Sequence, residues 1–258
     1  MKQDKRIFGG SAVTALRAAL TLGLMTLCAA TMLLVALPTF FRARNFYHQK
    51  ILVPFGRAVL AVWGIQLELH QTQAFPQIQT IYISNHTSTL DMFVLIALGL
   101  PNTRFFLSGY LRWLLPMGLI GYLLGIFWTV DQKFSARRVR IFKRAAEALQ
   151  RSGESVYLSP EGERVTSGEI GHFNKGAFHL ATVLHAPIVP IYIAIPKAID
   201  PGRGWCARPG VVHVYIQPSV ATTQWALSNL ERNRDQVRDL FLAWHTKLNA
   251  GLSAEHKR

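Results

Sequence analysis

Residues 78–91 have the sequence IQTIYISNHTSTLD, and this stretch decides how the chain is expected to fold. Its first half is rich in β-branched and aromatic residues, which predicts a strand over residues 78–84. Its second half carries Thr and Ser at positions 87–89, and because these residues are favoured N-caps, a helix is predicted to begin beside Asp91. The stretch therefore predicts a strand, a short polar loop that contains His86, and then a helix.

The same alternation of elements continues through the rest of the chain. Short runs rich in Val, Ile, Phe and Tyr predict further strands at residues 125–130, 155–159, 188–195 and 211–217. Helical patterns fill the intervals at residues 91–100, 111–124, 135–151, 175–185 and 225–249. Because strands alternate with helices, we expect an α/β fold with a mixed, largely parallel sheet and flanking helices.

The region before this domain is apolar. Residues 18–37 form a run of 20 residues without a formal charge, and as a helix this run would measure roughly 30 Å, about the thickness of a hydrocarbon core. The run predicts a membrane-embedded helix. A cleaved signal peptide is disfavoured because the run exceeds the usual apolar length and no small-residue cleavage site follows it.

A second apolar stretch, residues 51–65, is interrupted by Pro54, Gly56 and Arg57. The two stretches favour a helical hairpin embedded in one leaflet over a single span, although both arrangements remain open. Basic residues flank residues 18–37 on both sides, so the positive-inside rule gives no orientation. We expect residues 1–67 to anchor the protein and residues 68–258 to form the functional domain.

The charge balance calls for an anionic partner. The chain has 258 residues with 28 Lys and Arg against 14 Asp and Glu, a formal net charge of +14. Residues 135–151 form a basic amphipathic pattern, which is typical of a core-facing helix with a solvated outer face. Contact of that face with anionic lipid headgroups is the alternative, and the two are compatible. A nucleic-acid partner is not expected, because the basic residues are spread along a chain with a membrane segment and no recognisable binding module.

No metal site or resident cofactor is predicted from the sequence. The two cysteines, Cys28 and Cys206, indicate neither a disulfide nor a zinc framework. Four histidines also lack the spacing of metal ligands: His172, His179, His185 and His213. Scarce cysteine is typical of a reducing compartment, and with the apolar N-terminus we expect a membrane location on the cytoplasmic face of the inner (plasma) membrane.

His86 and Asp91 are candidates for a catalytic pair. Five residues of continuous helix would separate their side chains by about 140°, so the pair can meet only if His86 lies in the turn before the helix. A carboxylate bonded to one imidazole nitrogen holds the tautomer whose other nitrogen accepts a proton. The alternative is a surface turn in which His86 is solvated and Asp91 supports the start of the helix.

A second candidate follows the strand predicted at residues 155–159. Residues 159–164 have the sequence SPEGER, and Pro and Gly favour a turn at the end of that strand. In an open α/β sheet this end is where ligands bind, so Glu161 and Arg164 are expected to face the crevice. By itself, however, the segment is also compatible with a turn that has no chemical role.

Together these segments resemble the glycerolipid acyltransferases typified by 1-acylglycerol-3-phosphate acyltransferase. The family's Asn-His-x4-Asp block is matched by Asn85, His86 and Asp91. Its Pro-Glu-Gly-x-Arg block is matched by residues 160–164, and residues 168–178 and 186–191 resemble its Lys-Gly and Val-Pro segments. The resemblance covers roughly residues 81–195.

The resemblance implies an O-acyltransferase that moves a fatty acyl group from an acyl carrier protein or coenzyme A thioester to a lysophospholipid hydroxyl. The acceptor it implies is 1-acylglycerol 3-phosphate, and the product is phosphatidic acid. His86 would be the general base and Asp91 would orient it, with backbone N–H groups beside Gly162 facing the oxyanion. The implied substrate-binding residues are Glu161, Gly162, Arg164, Lys133 and Lys175, the last with a structural role as its alternative.

The chain departs from the family where the acceptor's phosphate is expected. Gln132 stands where family members usually carry an Arg, so any phosphate would fall to Lys133, Arg137 or Arg164. Glu163 and Ser159 also replace the usual Thr and aromatic residue. A different lysolipid acceptor therefore remains open, as do a lipid or thioester hydrolase and a noncatalytic lipid-binding membrane protein.

Overall fold

The computed structural model of the protein describes residues 12–202, 204 and 206–255. Its helices are α1 (Ala12–Ala36), α2 (Arg44–Phe46), α3 (Val53–Val62), α4 (Leu90–Leu98), α5 (Leu115–Leu124), α6 (Ser135–Ser152), α7 (Gly176–Leu184) and α8 (Leu230–Glu255). Its strands are β1 (Ile65–Gln71), β2 (Ile81–Ser84), β3 (Thr103–Ser108), β4 (Phe127–Thr129), β5 (Ser155–Leu158), β6 (Ile188–Ala194) and β7 (Gly210–Ile216). A π-helical turn, Tyr47–Leu52, joins α2 to α3, and 3₁₀ turns at Gly109–Trp113 and Leu227–Asn229 precede α5 and α8.

The strands of the described residues form one sheet in the order β1-β7-β6-β2-β5-β3-β4. Neighbouring strands are parallel at every pairing except that of β6 with β7. The predicted mixed, largely parallel sheet is therefore confirmed. Two strands were missed. Only Ile65 of β1 falls within the apolar stretch 51–65, and β3 falls between the helices predicted at residues 91–100 and 111–124.

Helices cover the sheet on both faces. On one face α3 and α4 pack over the middle strands, with Trp63, Leu95 and Val214 fully buried between them. On the other face α6, α7 and α8 bury Leu149, Phe178 and Phe241. Both faces of the sheet are thus removed from water, as expected where parallel strands alternate with helices.

The N-terminal segment is a helical hairpin that packs against the sheet domain. The indole N–H of Trp63, just after α3, donates to the Thr21 hydroxyl of α1 at 2.9 Å. One face of α1 is buried through Cys28, Ala29 and Met32. The opposite face exposes large apolar side chains, among them Leu20, Leu27 and Leu34.

Among the described residues, α1 is the one helix that is long and apolar enough to cross a membrane, by length and composition. Residues 1–11 of the predicted anchoring region lie outside the described residues. The sheet begins at Ile65, because β1 pairs with β7 from that residue onward. It therefore begins three residues before the domain boundary expected from the sequence. Residues 113–130, which carry no formal charge, contain the last residue of a 3₁₀ turn, helix α5 and strand β4. This agrees with the helix and the strand predicted there.

Candidate active site

The two candidate segments meet because their strands are neighbours. β2 and β5 run parallel, with Ile81 opposite Val156 and Ile83 opposite Leu158. Their carboxyl ends therefore lie side by side, and the loops that follow them share one edge of the sheet. The backbone N–H of Val165 donates to the His86 carbonyl at 2.8 Å and joins the two loops directly.

His86 and Asp91 form the pair that the sequence predicted. Nδ1 of His86 lies 2.8 Å from Oδ2 of Asp91, and because an ionised carboxylate only accepts hydrogen bonds, this nitrogen carries the proton. Nε2 is then the acceptor nitrogen on a ring that is 33% exposed. The arrangement gives His86 the tautomer of a general base.

Backbone groups hold the Asp91 carboxylate in place. It is 1% exposed and lies in the first turn of α4, where the helix dipole favours negative charge. The backbone N–H groups of Thr87 and Ser88 donate to its Oδ2 at 2.7 and 2.9 Å. The loop that carries His86 therefore folds around the carboxylate, and this satisfies N–H groups that precede the helix.

The Glu161 side chain connects its own loop to the His86 loop. Its Oε2 accepts a 2.6 Å hydrogen bond from the His86 backbone N–H, and its Oε1 accepts one of 2.8 Å from Gly171. The side chain is 2% exposed, and burial raises its pKa to about 7 against these favourable bonds. Glu161 was expected to face the crevice and bind the acceptor. Its side chain is instead buried against the His86 backbone, and its role stays a prediction.

Gly162 meets a steric and a conformational demand. Its φ is +71°, a left-handed conformation that favours glycine. A Cβ there would also lie 2.9 Å from the Asn174 side-chain nitrogen, which donates to the Glu161 carbonyl at 2.8 Å. The N–H of Gly162 donates to the Ser159 carbonyl at 3.2 Å, so this group is engaged in the turn rather than free for an oxyanion.

The predicted basic residues occupy different surroundings. Arg164 is exposed and donates to the Thr89 hydroxyl at the start of α4, so it lies beside the His86 loop. Lys133 is exposed, and its ammonium is 3.7 Å from Asp131. The Lys175 ammonium pairs with Glu231 near the start of α8 rather than with either loop, and its substrate-binding role stays a prediction.

Arg138 is a candidate that sequence reasoning did not single out. Its Nη2 lies 3.7 Å from the position that a Cβ of Gly162 would occupy, and Nε2 of Gln132 lies 3.3 Å from the same point. Burial lowers the pKa of Arg138, and the nearby Asp131 opposes that shift. No carboxylate lies within salt-bridge distance of Arg138 in the described part of the chain. The neighbouring Arg137 is exposed and lies over the Phe134 ring instead.

Buried polar residues hold the His86 loop on its other side. Asn85 is 2% exposed, and its amide both donates to the Ile193 carbonyl and accepts from the Ile193 N–H, at 2.9 and 2.8 Å. Ser88 donates to the Asp200 carboxylate and accepts from the Leu90 N–H. These contacts hold the loop against β6 and against Asp200. The neighbouring loop holds it from another side through Glu161 and Val165, so the position of His86 is fixed.

One cavity adjoins these loops. It has a volume of about 240 Å³ and is lined by Asn85, Thr87 and Lys197 among others. A separate apolar crevice of about 40 Å³ lies between α1, α3, α4 and α5 and extends to Met92, the residue after Asp91.

Comparison with known proteins identifies the family. The family model described as Acyltransferase matches residues 66–194, which is half of the chain and contains both loops. The chain belongs to the acyltransferase family. The mouse 1-acyl-sn-glycerol-3-phosphate acyltransferase alpha is 28% identical over 203 residues, which cover 78% of this chain and 71% of the mouse protein. The corresponding enzyme of Limnanthes alba is 26% identical over 202 residues, covering 72% of this chain and 66% of that protein.

The fold of this acyltransferase recurs in a solved structure. The crystal structure of the 1-acyl-sn-glycerophosphate acyltransferase from Thermotoga maritima aligns with a TM-score of 0.67 and 22% identity, covering 91% of this chain and 98% of that one. The family and the fold class predicted from the sequence are thus confirmed. The roles of individual residues stay predictions that rest on the geometry above.

Proposed function

We propose that this acyltransferase moves a fatty acyl group from a thioester to the free hydroxyl of 1-acylglycerol 3-phosphate, which yields phosphatidic acid. The observation that carries the proposal is the 2.8 Å contact between His86 Nδ1 and Asp91 Oδ2 in the loop after β2. The relatives named as 1-acyl-sn-glycerol-3-phosphate acyltransferases support the same reaction and acceptor.

In this reaction Nε2 of His86 takes the proton of the acceptor hydroxyl as its oxygen attacks the thioester carbonyl. Asp91 stabilises the imidazolium that forms. When the tetrahedral intermediate collapses, the carbon–sulfur bond breaks and the sulfur leaves as thiolate. The imidazolium then returns the proton to that sulfur, so the products are an ester and a thiol, and no acyl-enzyme is formed.

The acceptor's phosphate has two candidate partners near the turn at Gly162. Arg164 is exposed and lies beside Thr89 at the start of α4. Arg138 approaches Gly162 from α6 and has its charge partly desolvated. A guanidinium binds phosphate through charge-assisted hydrogen bonds. Arg138 would thereby supply, from a helix, the positive charge that Gln132 lacks.

The apolar surfaces suit a substrate that resides in a membrane. The outer face of α1 is exposed along its length, and Trp113, Leu115 and Tyr122 expose 74%, 87% and 73% of their surfaces near α5. Apolar side chains with aromatic neighbours are typical of a membrane interface. We therefore propose that α1 and the N-terminal part of α5 insert into the membrane, with the catalytic loops on its cytoplasmic face.

The proposed function is tested by incubating purified protein with acyl carrier protein or coenzyme A thioesters, with and without 1-acylglycerol 3-phosphate. The expected result is phosphatidic acid that depends on the acceptor, with one donor preferred. Free fatty acid formed without an acceptor would indicate a hydrolase. A second lysolipid without the phosphate monoester identifies a different acceptor if it is the better substrate, and the absence of any product would favour a lipid-binding role.

A further inference from the structure

A cluster of three ionisable side chains lies on the sheet edge outside the His86 loop. β1 and β7 pair in parallel with Glu68 opposite His213 and His70 opposite Tyr215. Because side chains alternate along a strand, Glu68 and His70 project from the same face of β1. His213 faces them from β7, and one ligand atom from each of the three residues lies within 4.8 Å of the others.

The side chains of this cluster are close enough to converge on one ion. His70 Nε2 lies 3.2 Å from His213 Nδ1 and 3.4 Å from Oε1 of Glu68, while His213 Nδ1 lies 3.6 Å from the other oxygen of that carboxylate, Oε2. A tetrahedral Zn²⁺ with bonds of about 2.0–2.2 Å separates its ligand atoms by about 3.3–3.6 Å. The two imidazole nitrogens and the nearer carboxylate oxygen are close to this spacing, and one ligand atom from each of the three residues lies within 4.8 Å of the others.

We propose that Glu68, His70 and His213 bind one divalent transition metal ion of the Zn²⁺ class. Two imidazoles and a carboxylate are ligands that such ions accept, and a water molecule would complete the coordination. The Tyr215 ring stacks on His70 at a centroid distance of 4.3 Å and an angle of 10°, which fixes the orientation of that imidazole. The His70 and Glu68 side chains are 37% and 55% exposed, so an ion can enter from solvent.

A bound ion would have a structural consequence that is independent of acyl transfer. β1 is the edge strand that follows directly from α3, and so it connects the N-terminal hairpin to the sheet. The ion would link β1 to β7 through side chains in addition to their backbone ladder. The competing arrangement is a hydrogen bond between the two imidazoles with a carboxylate nearby, and metal titration distinguishes it from a metal site.

The test uses full-length, tag-free protein in detergent after treatment with a chelator. Zn²⁺ is titrated by calorimetry, and Co²⁺ is titrated by visible absorption, which reports tetrahedral coordination. We expect one equivalent to bind, with visible Co²⁺ bands. Loss of a residue that only supports a metal ligand lowers metal affinity by about 10- to 100-fold. His213→Ala removes a ligand itself and should lower the affinity by more than this. Glu68→Gln, an isosteric change at an exposed position, should also weaken metal binding. This variant tests the proposal if a histidine variant fails to fold.

His185→Asn is the matched control, because it removes an exposed histidine at φ +49°, where Asn is tolerated. It should bind the metal as wild type does. The proposal is overturned if wild type binds no more Zn²⁺ than a His70→Ala/His213→Ala double variant. It is also overturned if His185→Asn loses binding to the same extent as His213→Ala, since the ions would then be held at scattered surface histidines.

Discussion

The Glu161 carboxylate accepts a 2.6 Å hydrogen bond from the backbone N–H of His86, a residue 75 positions away in the chain. Its other oxygen is held by Gly171, so the carboxylate bridges two loops rather than facing a ligand. A buried carboxylate in this place fixes the backbone from which the imidazole projects. We therefore expect Glu161 to contribute to catalysis by positioning His86.

Because Glu161 is buried, we expect the free energy of unfolding to depend on pH through this residue. Burial raises the pKa of Glu161 from 4.5 to about 7, so the folded protein binds a proton that the unfolded chain releases. The stabilising contribution is complete below pH 4.5 and is lost as pH rises to 7 and above, by up to about 3 kcal/mol. Glu161→Gln should abolish this loss, because the amide does not titrate.

The measurement is the denaturant midpoint of detergent-solubilised protein at pH 5 and pH 8. Wild type should lose more stability between the two pH values than Glu161→Gln does. The variant also loses one hydrogen bond, but it does so at both pH values, so this loss cancels from the comparison. Glu163→Gln, an exposed change two residues further on, should follow wild type. Identical pH slopes for wild type and Glu161→Gln would show that Glu161 does not titrate in this range.

Loss of the imidazole should nearly abolish acyl transfer. His86→Ala is expected to lower kcat by about 10²- to 10⁴-fold, the usual cost of removing a general base. Asp91→Asn should also be severely impaired. Its amide oxygen can still accept from Thr87 and Ser88, and its nitrogen would occupy the place of Oδ1, which has no hydrogen-bond partner among the described residues. That variant therefore removes the charge while keeping the loop.

Rates are measured with saturating donor and acceptor, and folding is checked by the thermal midpoint. His185→Asn is again the control for loss of an exposed histidine and should retain wild-type turnover. A folded His86→Ala protein with near-normal kcat would contradict the proposed mechanism.

The His86 and Asp91 pairing was predictable from the sequence because its determinants are local. Ser and Thr at positions 87–89 stop the strand and begin the helix, and the carboxylate follows within one turn. The burial of Glu161 was not predictable in this way, since it depends on Gly171 and on the adjacency of β2 and β5. The approach of Arg138 to Gly162 depends on how α6 packs, which the basic pattern of that helix leaves open.

The remaining features that the sequence did not predict depend on pairing between strands far apart in the chain. In β1, Ile65, Leu67 and Leu69 alternate with polar residues, which is a strand pattern, but the apolar run just before it favoured a hairpin arm. Once β1 was missed, its register with β7 could not be predicted. His70 and His213 are 143 positions apart, and no spacing rule along the chain brings them together.

Arg138 should matter more for the acceptor than its neighbour Arg137. If Arg138 holds the phosphate, Arg138→Ala should raise KM for 1-acylglycerol 3-phosphate about 10- to 100-fold, because a charged hydrogen bond contributes about 1.5–3 kcal/mol. Arg164→Ala should likewise raise KM more than it lowers kcat. Arg137→Ala is the matched control on the same helix, since its guanidinium lies over Phe134.

Steady-state kinetics with a second lysolipid that lacks the phosphate monoester complete this comparison. The KM for that lipid should be unaffected by Arg138→Ala. Gln132→Arg should be neutral or should improve the use of the phosphate-bearing acceptor, because Gln132 lies beside the same turn. If Arg137→Ala and Arg138→Ala have equal effects, the phosphate is not bound at Gly162.

The exposed face of α1 should determine membrane retention. Leu27 and Leu34 are 56% and 71% exposed and lie two turns apart on the side opposite the buried Cys28 and Met32. A charged residue at the centre of a membrane helix costs about 2.5–3.5 kcal/mol. The double variant Leu27→Glu/Leu34→Glu should therefore release protein from membranes, while the packing of α1 against α3 is preserved.

Retention is measured as the fraction of protein that sediments with membranes after a high-salt wash, which removes proteins held by charge alone. Wild type should stay with the membranes, and the double variant should move largely to the supernatant. Leu240→Glu changes an exposed leucine on α8 and should stay with the membranes, because α8 packs on the far face of the sheet. If high salt alone releases wild type, α1 is not embedded and the basic surface carries the attachment.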